Sequence, residues 1–367
     1  MIEGIKPLSE KPNTIQEFTV QFFADSVTID GTVLPLGQVS ADVLNIKDDA
    51  LLELQDKNLA FARAVETQLW NPGIKKDSGM AATVQTKMNS AYDSIIILPL
   101  FRHIDLDNDF ARNLLPLMLN KRPDEFKRLC DPQSMEASVF AGMIKKYFLI
   151  ADEAVSFRTY VSAMLDVCFE GLKKRDSEHY AVGIYKFISN LELVRQIADT
   201  FPPYPSFMFL QSREATIEYA TMPNPANIKQ YMIAERMVFN SIGAFLHVDF
   251  FRGLMHGNVP RRCHNCGKFF LLTDGYDTRY CNNIAPGEME RTCRKVGAHK
   301  KEAQKIGASL IQAEYKRVYS RLKTRRYRGK ISNDEWNEQV ALAQEYKEQA
   351  EKGKISEFEL KRVFERM

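Results

Sequence analysis

Four cysteines in the last third of the chain have the spacing of metal ligands. They are Cys263, Cys266, Cys281 and Cys293, in the pattern C-x2-C-x14-C-x11-C, and they are four of the six cysteines in 367 residues. Two thiolates separated by two residues can reach one metal ion from a single turn. A second pair then completes the tetrahedral shell that Zn²⁺ prefers. The pattern therefore predicts one zinc ion with four sulfur ligands.

The residues around the first pair predict a turn followed by a hairpin. Gly267 directly follows Cys266, where a tight turn often needs positive φ. Residues 269–272 read as a short apolar strand, and Asp274-Gly275 is a hairpin turn signal. Four sulfurs close the coordination sphere, whereas a catalytic zinc keeps a position open for water. We therefore predict a structural zinc and no catalytic residues; a disulfide pair or reduced structural thiols are the alternatives.

Composition indicates a globular protein of a reducing compartment. Hydrophobic residues make up 45% of the chain and charged residues 26%, both ordinary values for such proteins. No signal peptide opens the sequence, and the longest apolar stretches are too short to span a bilayer. We expect a cytoplasmic location without membrane contact, with Cys130 and Cys168 as free core thiols.

The net charge of +3 hides an uneven distribution. Residues 1–260 hold 26 Lys and Arg against 32 Asp and Glu, a net of −6. Residues 261–330 hold 18 against 6, a net of +12, and residues 331–367 hold 6 against 9, a net of −3. A localised positive surface is typical of proteins that contact phosphates.

The elements that would position the cysteines predict a mainly α-helical fold. We expect a β-rich element over residues 1–45 with a turn at Asp30-Gly31, and a helical domain over 46–260 that senses a ligand, dimerises or binds a partner. A treble-clef-like or ribbon-like zinc module follows over 261–300, and a basic helix with a helical tail over 301–367. Periodicity and breakers predict helices over the following ranges: 48–70, 82–101, 107–120, 134–172, 178–199 and 227–256.

The tail contains a short repeat that predicts helix boundaries. Ser332-x-x-Glu335 and Ser356-x-x-Glu359 each follow a glycine and match a capping box. They predict three tail helices over 294–328, 332–351 and 356–367. In the first of these, one face is apolar and the other carries cations interleaved with aromatic residues. The predicted nucleic-acid contacts on this helix are Arg294, Lys301, Lys305, Lys316, Tyr319, Lys323, Arg325 and Arg326.

Two further constellations could carry chemistry. One helical face just before the cysteines carries Asp249, Arg252 and His256. A polar edge on a docking helix explains this grouping better than an acid–base site does. Arg294 and His299 match R-x4-H, which resembles the ribonuclease signature of the HEPN superfamily. The match overlaps Cys293, whereas that signature belongs on an open face of a helical bundle.

The cysteine region resembles the zinc module of an uncharacterised bacterial domain family. The resemblance rests on Cys263-His-Asn-Cys266-Gly-Lys-Phe-Phe270, Tyr280-Cys281 and Cys293-Arg-Lys-Val-Gly-Ala298. The module is in turn similar to the CGNR-type zinc finger, which is assumed to bind DNA in regulators. This chain departs from that finger by a wider gap between the last two cysteines and by Arg294-Lys295-Val296 after the last one.

Three functional hypotheses follow from these observations. The first is a zinc-containing nucleic-acid-binding protein, for example a transcriptional regulator, with DNA or RNA undecided and a homodimer or protein partner through residues 1–260. The second is an enzyme that processes nucleic acid, such as a toxin or defence ribonuclease, supported by Arg294 and His299. The third is a protein–protein adaptor with a purely structural zinc, in which the phenylalanines of 239–251 pack against Phe269 and Phe270.

Overall fold

The computed structural model describes residues 13–104, 106, 112–200, 215–224, 227–273, 278–299 and 310–367. Most of these residues are helical, and a small sheet lies near the amino terminus, as the sequence predicts. Contacts divide the chain into two compact units. Unit 1 comprises residues 1–262 and 267–278, and unit 2 comprises residues 263–266 and 279–367.

Unit 1 contains a five-stranded antiparallel sheet with the strand order β3-β2-β1-β5-β4. Its strands are β1 (Phe18–Phe22), β2 (Ser26–Ile29), β3 (Thr32–Pro35), β4 (Ala215–Asn224) and β5 (Asn227–Phe239). The predicted turn between β2 and β3 is confirmed, because Asp30 and Gly31 both have positive φ, as a two-residue hairpin turn requires. The amino-terminal strands therefore share one sheet with a hairpin some 200 residues later in the chain.

The prediction of helix for residues 227–239 is wrong. These residues form β5, which pairs with β1 from Phe18 opposite Phe239 to Phe22 opposite Glu235. Met, Ala, Glu and Arg in this segment favour helix locally. Pairing on both edges of β5 and burial of Met237 and Phe239 override that preference, because strand formation depends on the neighbours a strand finds.

Helices cover the sheet and form most of the core of unit 1. They are α1 (Gln38–Val43), α2 (Asp48–Ala64), α3 (Ser78–Ile96), α4 (Leu114–Lys121), α5 (Pro123–Leu129), α6 (Met135–Met164), α7 (Ser177–Ser189), α8 (Leu191–Thr200) and α9 (Ile242–His256). Helix α2 continues as a π-helical turn over Val65–Leu69, and α6 over Leu165–Phe169. The predicted helix over 107–120 begins at Leu114 within the described residues.

Helix α9 lies in the middle of unit 1 and is bonded at several points. Its amino-terminal Ser241 Oγ donates to Glu153 of α6 at 2.6 Å, and the Gly243 N–H donates to the same carboxylate at 3.1 Å. Gly253 brings α9 against the chain before α1, where a Cβ would lie 3.1 Å from Gly37 Cα. The helix ends at Gly257 with φ 99°, a left-handed conformation that favours glycine.

Asp249 of α9 is fully buried and caps α1. One carboxylate oxygen accepts the Gly37 N–H at 2.9 Å, and the other accepts the N–H and Oγ–H of Ser40 at 3.0 and 2.7 Å. These donors belong to the first turn of a helix, where a negative charge is favourable. Asp249 therefore has a structural role, separate from Arg252 and His256, which line a cleft on the same helix.

The strands on either side of the first cysteine pair belong to unit 1. Strand β6 (Val259–Arg262) pairs with β7 (Phe269–Leu272), and the Asn45 side chain bonds both the N–H and the carbonyl of Phe269 at 2.7 and 2.8 Å. Arg261 pairs with Glu170 at 3.2 Å and Arg262 with Asp166 at 2.7 Å. These bonds fix the backbone that enters and leaves residues 263–266.

The tail of unit 2 folds into three helices with a small core of their own. They are α10 (Leu310–Tyr327), α11 (Asn333–Glu351) and α12 (Glu357–Arg366). Both predicted capping boxes are confirmed, at Ser332 with Glu335 and at Ser356 with Glu359. The buried residues that join the three helices are Val318, Leu322, Ala343, Ala350, Leu360 and Phe364.

The buried Asp249 carboxyl gives a testable pH dependence. Burial raises its pKa to about 6, although hydrogen bonds from Ser40 and Gly37 lower it. The folded-state pKa therefore lies above the value of about 3.9 in an unfolded chain, so the ionised form costs folding free energy. This cost is fully present at neutral pH and is relieved as the pH falls from about 6 towards 4.

We expect the free energy of unfolding of the wild type, measured relative to Asp249→Asn, to increase by about 2 kcal/mol between pH ~7 and ~4. Denaturant titrations of the two proteins at several pH values would measure it. Asp56→Asn, which removes an exposed carboxylate of α2 and keeps Asp249, serves as the control and should follow the pH profile of the wild type. Parallel pH profiles for the wild type and Asp249→Asn would contradict the expectation.

Candidate metal centre

The first two cysteines lie in a tight turn between β6 and β7. Cys263 is buried and Cys266 is half-buried. The predicted positive φ of Gly267 is confirmed, at 73°. The predicted turn at 274–275 lies outside the described residues. Because β6 and β7 are paired, the turn that carries Cys263 and Cys266 has a fixed width at its base.

The other two cysteines are brought together by a short antiparallel segment. Cys293 N–H donates to the Asn283 carbonyl at 2.8 Å, and Arg294 N–H donates to the Cys281 carbonyl at 3.0 Å. Ile284 and Thr292 form a β-bridge between the same two stretches. Residues 293–299 are helical, so Cys293 occupies the first turn of a helix, where exposed N–H groups favour a thiolate.

The four sulfurs converge on one point. All four Sγ atoms lie within 4.8 Å of one another, and the Sγ atoms of Cys266 and Cys281 are 3.7 Å apart. Metal–sulfur bonds of about 2.3 Å at tetrahedral angles place sulfurs about 3.8 Å apart. The distances also exceed a disulfide bond, and all six cysteines are free thiols. The cluster can therefore hold a metal ion, as the spacing predicts.

Backbone and side-chain donors surround the sulfurs. The Cys281 N–H donates to Cys263 Sγ, and Asn265 Nδ2 donates to Cys293 Sγ, both at 3.4 Å. Burial raises the pKa of Cys263, but N–H groups of Cys281, Cys266 and Asn265 outweigh it and lower the pKa to about 7. Burial and the neighbouring thiols raise the pKa of Cys281. Deprotonation of all four thiols would bring four negative charges close together, which is unfavourable. A cation at their centre would favour the fully deprotonated cluster.

Gly297 and Tyr280 form a close contact that sequence reasoning did not single out. A Cβ on Gly297 would lie 2.4 Å from the Tyr280 ring, so the helix of residues 293–299 can approach the residue before Cys281 only with glycine at this position. Thr292 Oγ1 accepts the Lys295 N–H at 3.3 Å at the start of the same helix. The signals present in the sequence were the glycine four residues after Cys293 and the threonine directly before it.

The basic residues near the cysteines have different surroundings. Arg261 and Arg262 pair with carboxylates of unit 1. Arg294 and Lys295 are exposed at the start of the helix that carries Cys293. His299 is exposed on that helix too, but a spacing of five residues places it about 140° around the helix axis from Arg294.

The predicted nucleic-acid contacts of α10 fall into two groups. Lys316, Lys323 and Arg326 are exposed, with the Arg326 guanidinium 4.5 Å from the Trp336 ring centroid. Arg325 donates to the Met367 carbonyl at 2.6 Å, and half-buried Tyr319 packs 6.1 Å from Trp336. Lys301 and Lys305 lie outside the described residues. Contact of any of these side chains with nucleic acid stays a prediction.

A second group of potential ligands has a structural explanation. Asp176, Glu178 and His179 lie close enough to hold a metal ion. Asp176 is the N-cap of α7, and its carboxylate accepts the His179 N–H at 2.9 Å and bonds His179 Nδ1 at 2.7 Å. A helix cap accounts for this geometry without a ligand.

Comparison with known proteins places the cysteines in a region shared with other chains. Residues 210–365 match the model of a family of unknown function (DUF6076). The match covers less than half of the chain but includes all four cysteines and the three tail helices. The predicted likeness of this region to an uncharacterised domain family is thus confirmed. No curated protein and no solved structure matches the chain. Among the described residues, no helix has the length and apolar character to cross a membrane.

The cysteine cluster predicts the metal content of the purified protein. We expect about one metal ion per chain in the wild type, and loss of most of it in Cys281→Ser, because a tetrathiolate site needs all four ligands for full affinity. Mass spectrometry of elemental metals would measure the ratio. Cys130→Ser, which changes a thiol outside the cluster, should retain the metal. Equal metal content in both variants would contradict the assignment.

The contact at Gly297 predicts a stability effect. Gly297→Ala should destabilise unit 2 by roughly 1–3 kcal/mol, because the added methyl group displaces the Tyr280 ring. Gly142→Ala in α6, where a Cβ meets nothing within 4 Å, should instead stabilise by roughly 0.5–1 kcal/mol. Denaturant titration would measure both. A cost of Gly297→Ala that is unchanged in a Tyr280→Ala background would show that the ring is not responsible.

Proposed function

We propose that the chain is a cytoplasmic, zinc-containing nucleic-acid-binding protein, with a transcriptional regulator as the specific role. The four cysteines would bind one structural Zn²⁺ in a treble-clef-like module. Basic residues of unit 2 would contact phosphates. Unit 1 would sense a ligand or bind a partner.

Zinc is the metal that the donor set favours. Four thiolates are soft ligands that suit the tetrahedral shell of Zn²⁺, and a full set of four would leave no open position for a substrate or water. Six free thiols suit a reducing compartment, which is the basis for the cytoplasmic location. A turn that supplies two ligands and a helix whose first turn supplies the last support a treble-clef-like module, although Cys281 lies outside that helix.

The observation that carries the nucleic-acid proposal is the separation of charge between the two units. Unit 2 holds 21 Lys and Arg against 13 Asp and Glu, a net of +8. Unit 1 holds 29 against 34, a net of −5. A tetrathiolate zinc contributes about −2, which still leaves unit 2 strongly positive. Such a localised positive unit attracts a polyanion at long range.

Exposed cations on two elements of unit 2 support the same proposal. Arg294 and Lys295 are exposed in the first turn of the helix that begins at Cys293. Zinc coordination of Cys293 would fix the position of that turn. Lys316 and Lys323 are exposed on α10 about two helical turns, or about 10.5 Å, apart, which places both cations on the same side of the helix. The resemblance to the CGNR-type zinc finger favours DNA and a regulatory role.

Salt dependence of binding tests the proposal. We expect affinity for duplex DNA, single-stranded DNA or structured RNA to fall steeply as salt is raised, because binding releases counterions from phosphates. The double variant Lys316→Glu/Lys323→Glu should bind at least about tenfold more weakly. The slope of log affinity against log salt concentration should become shallower by the amount that about two phosphate contacts contribute. Fluorescence anisotropy with labelled oligonucleotides would measure both quantities.

A matched control separates a local contact from an effect of net charge. The double variant Lys121→Glu/Lys145→Glu makes the same change in charge on exposed residues of unit 1 and should bind like the wild type. Equal weakening by both double variants would refute a specific role for α10. A wild type that binds none of the three nucleic acids at low salt would refute the proposed function.

A further inference from the structure

The β4–β5 hairpin extends past the rest of the sheet. Strand β1 pairs with β5 only as far as Glu235. Strand β5 continues for eight further residues to Asn227, paired with β4 alone. The outer half of the hairpin therefore projects beyond the strands that the core of unit 1 supports.

Apart from Glu235, the inner face of this hairpin carries large apolar side chains after it leaves the core. Side chains alternate between faces along a strand, so Phe239, Met237, Glu235, Ile233 and Tyr231 point the same way. Phe239 and Met237 are buried in the core, whereas Ile233 is 73% exposed and Tyr231 70%. On the paired strand, Ile217 and Tyr219 share this face and are 50% and 74% exposed. The core-facing side of the sheet thus continues outward without cover from the described residues.

A cleft of about 450 Å³ lies at the base of this face, beside the last turn of α9. Its floor includes buried Phe22 and Leu36, and its rim includes Tyr219, Ile233 and Met255, of which Met255 is 71% exposed. Arg252 in the wall pairs with Glu235, and its guanidinium lies 4.6 Å from the Phe22 ring centroid. The ion pair satisfies both charges, and apart from the exposed His256 the rim offers apolar side chains to another molecule.

We propose that this surface, the inner face of the β4–β5 hairpin with Met255, is the site where a second copy of the chain packs in a two-fold homodimer. Ile217, Tyr219, Tyr231, Ile233 and Met255 together expose roughly 700 Å² per chain, since aromatic residues bury about 150–250 Å² each. Complete burial of this area on two copies would cover at most about 1,400 Å², which lies within the range of standard stable interfaces. Monomeric proteins seldom expose an apolar patch of this size.

Charge and symmetry both favour a second copy over another kind of partner. The surface carries one internal ion pair and no net charge, so two copies meet without repulsion there, and a nucleic acid or strongly charged protein gains nothing from it. A two-fold axis uses the same patch on both chains, which needs only one self-complementary surface. The dimer is independent of metal and nucleic-acid binding.

Analytical ultracentrifugation of the full chain tests the dimer. We expect the wild type to sediment at twice its 42.1 kDa at micromolar concentration. Ile233→Glu should weaken dimerisation at least about tenfold, because two glutamates would be buried in an apolar interface. Tyr231→Glu, nearer the tip of the hairpin and away from the core, should do the same. Circular dichroism would establish that both variants are folded.

Thr216→Glu, an exposed position on the opposite face of β4, is the matched control and should leave the dimer intact. Raising the salt concentration should not weaken the dimer, because the interface is apolar and the net negative charge of unit 1 is screened. A wild type that is monomeric over the whole concentration range would overturn the proposal. So would a dimer whose dissociation constant is the same in the wild type, Ile233→Glu and Tyr231→Glu.

Discussion

The burial of one carboxylate organises much of unit 1. Asp249 has no access to solvent, and its two oxygens accept three hydrogen bonds from the start of α1. An unpaired carboxylate in this position would cost several kcal/mol, so α1 must lie where its first N–H groups reach α9. The glycines at 37 and 253 allow the two backbones to approach closely enough for these bonds. Since α9 follows β5 and precedes β6, the same contact helps to fix the path of the chain between these two strands.

The cysteine cluster also depends on how buried negative charge is stabilised. Hydrogen-bond donors stabilise Asp249, whereas the cysteine cluster requires a cation. Four buried or half-buried sulfurs within 4.8 Å disfavour four negative charges unless a cation lies between them. Donors such as the Cys281 N–H and Asn265 Nδ2 lower the cost of the thiolates, and the helix that begins at Cys293 adds its amino-terminal dipole. A metal ion held by the four sulfurs would supply that positive charge.

The two units offer surfaces of different character. Unit 2 carries a net charge of +8 and a small core of three tail helices, so its exposed surface is dominated by ionisable side chains. Unit 1 carries a net charge of −5 and exposes an uncharged apolar face on a projecting hairpin. Electrostatic attraction weakens as salt is added, whereas apolar burial does not. Partners that bind the two units would therefore differ in their response to salt, which allows the two interactions to be studied separately in one chain.

Local chemistry in the sequence determined the cysteine cluster, the turns and the tail helices. The spacing of Cys263, Cys266, Cys281 and Cys293 and the two capping boxes act over a few residues, so their outcome could be predicted without knowing the rest of the fold. Tertiary structure decided the state of residues 227–239, the burial of Asp249 and the fit of Gly297 against Tyr280. In each case the outcome depends on a contact with a residue outside the local sequence window. Strand β5 pairs with β1, Asp249 bonds the start of α1, and Gly297 packs against the ring of Tyr280. Strand pairing and close packing depend on which surfaces meet in three dimensions, and no pattern within a short window contains that information.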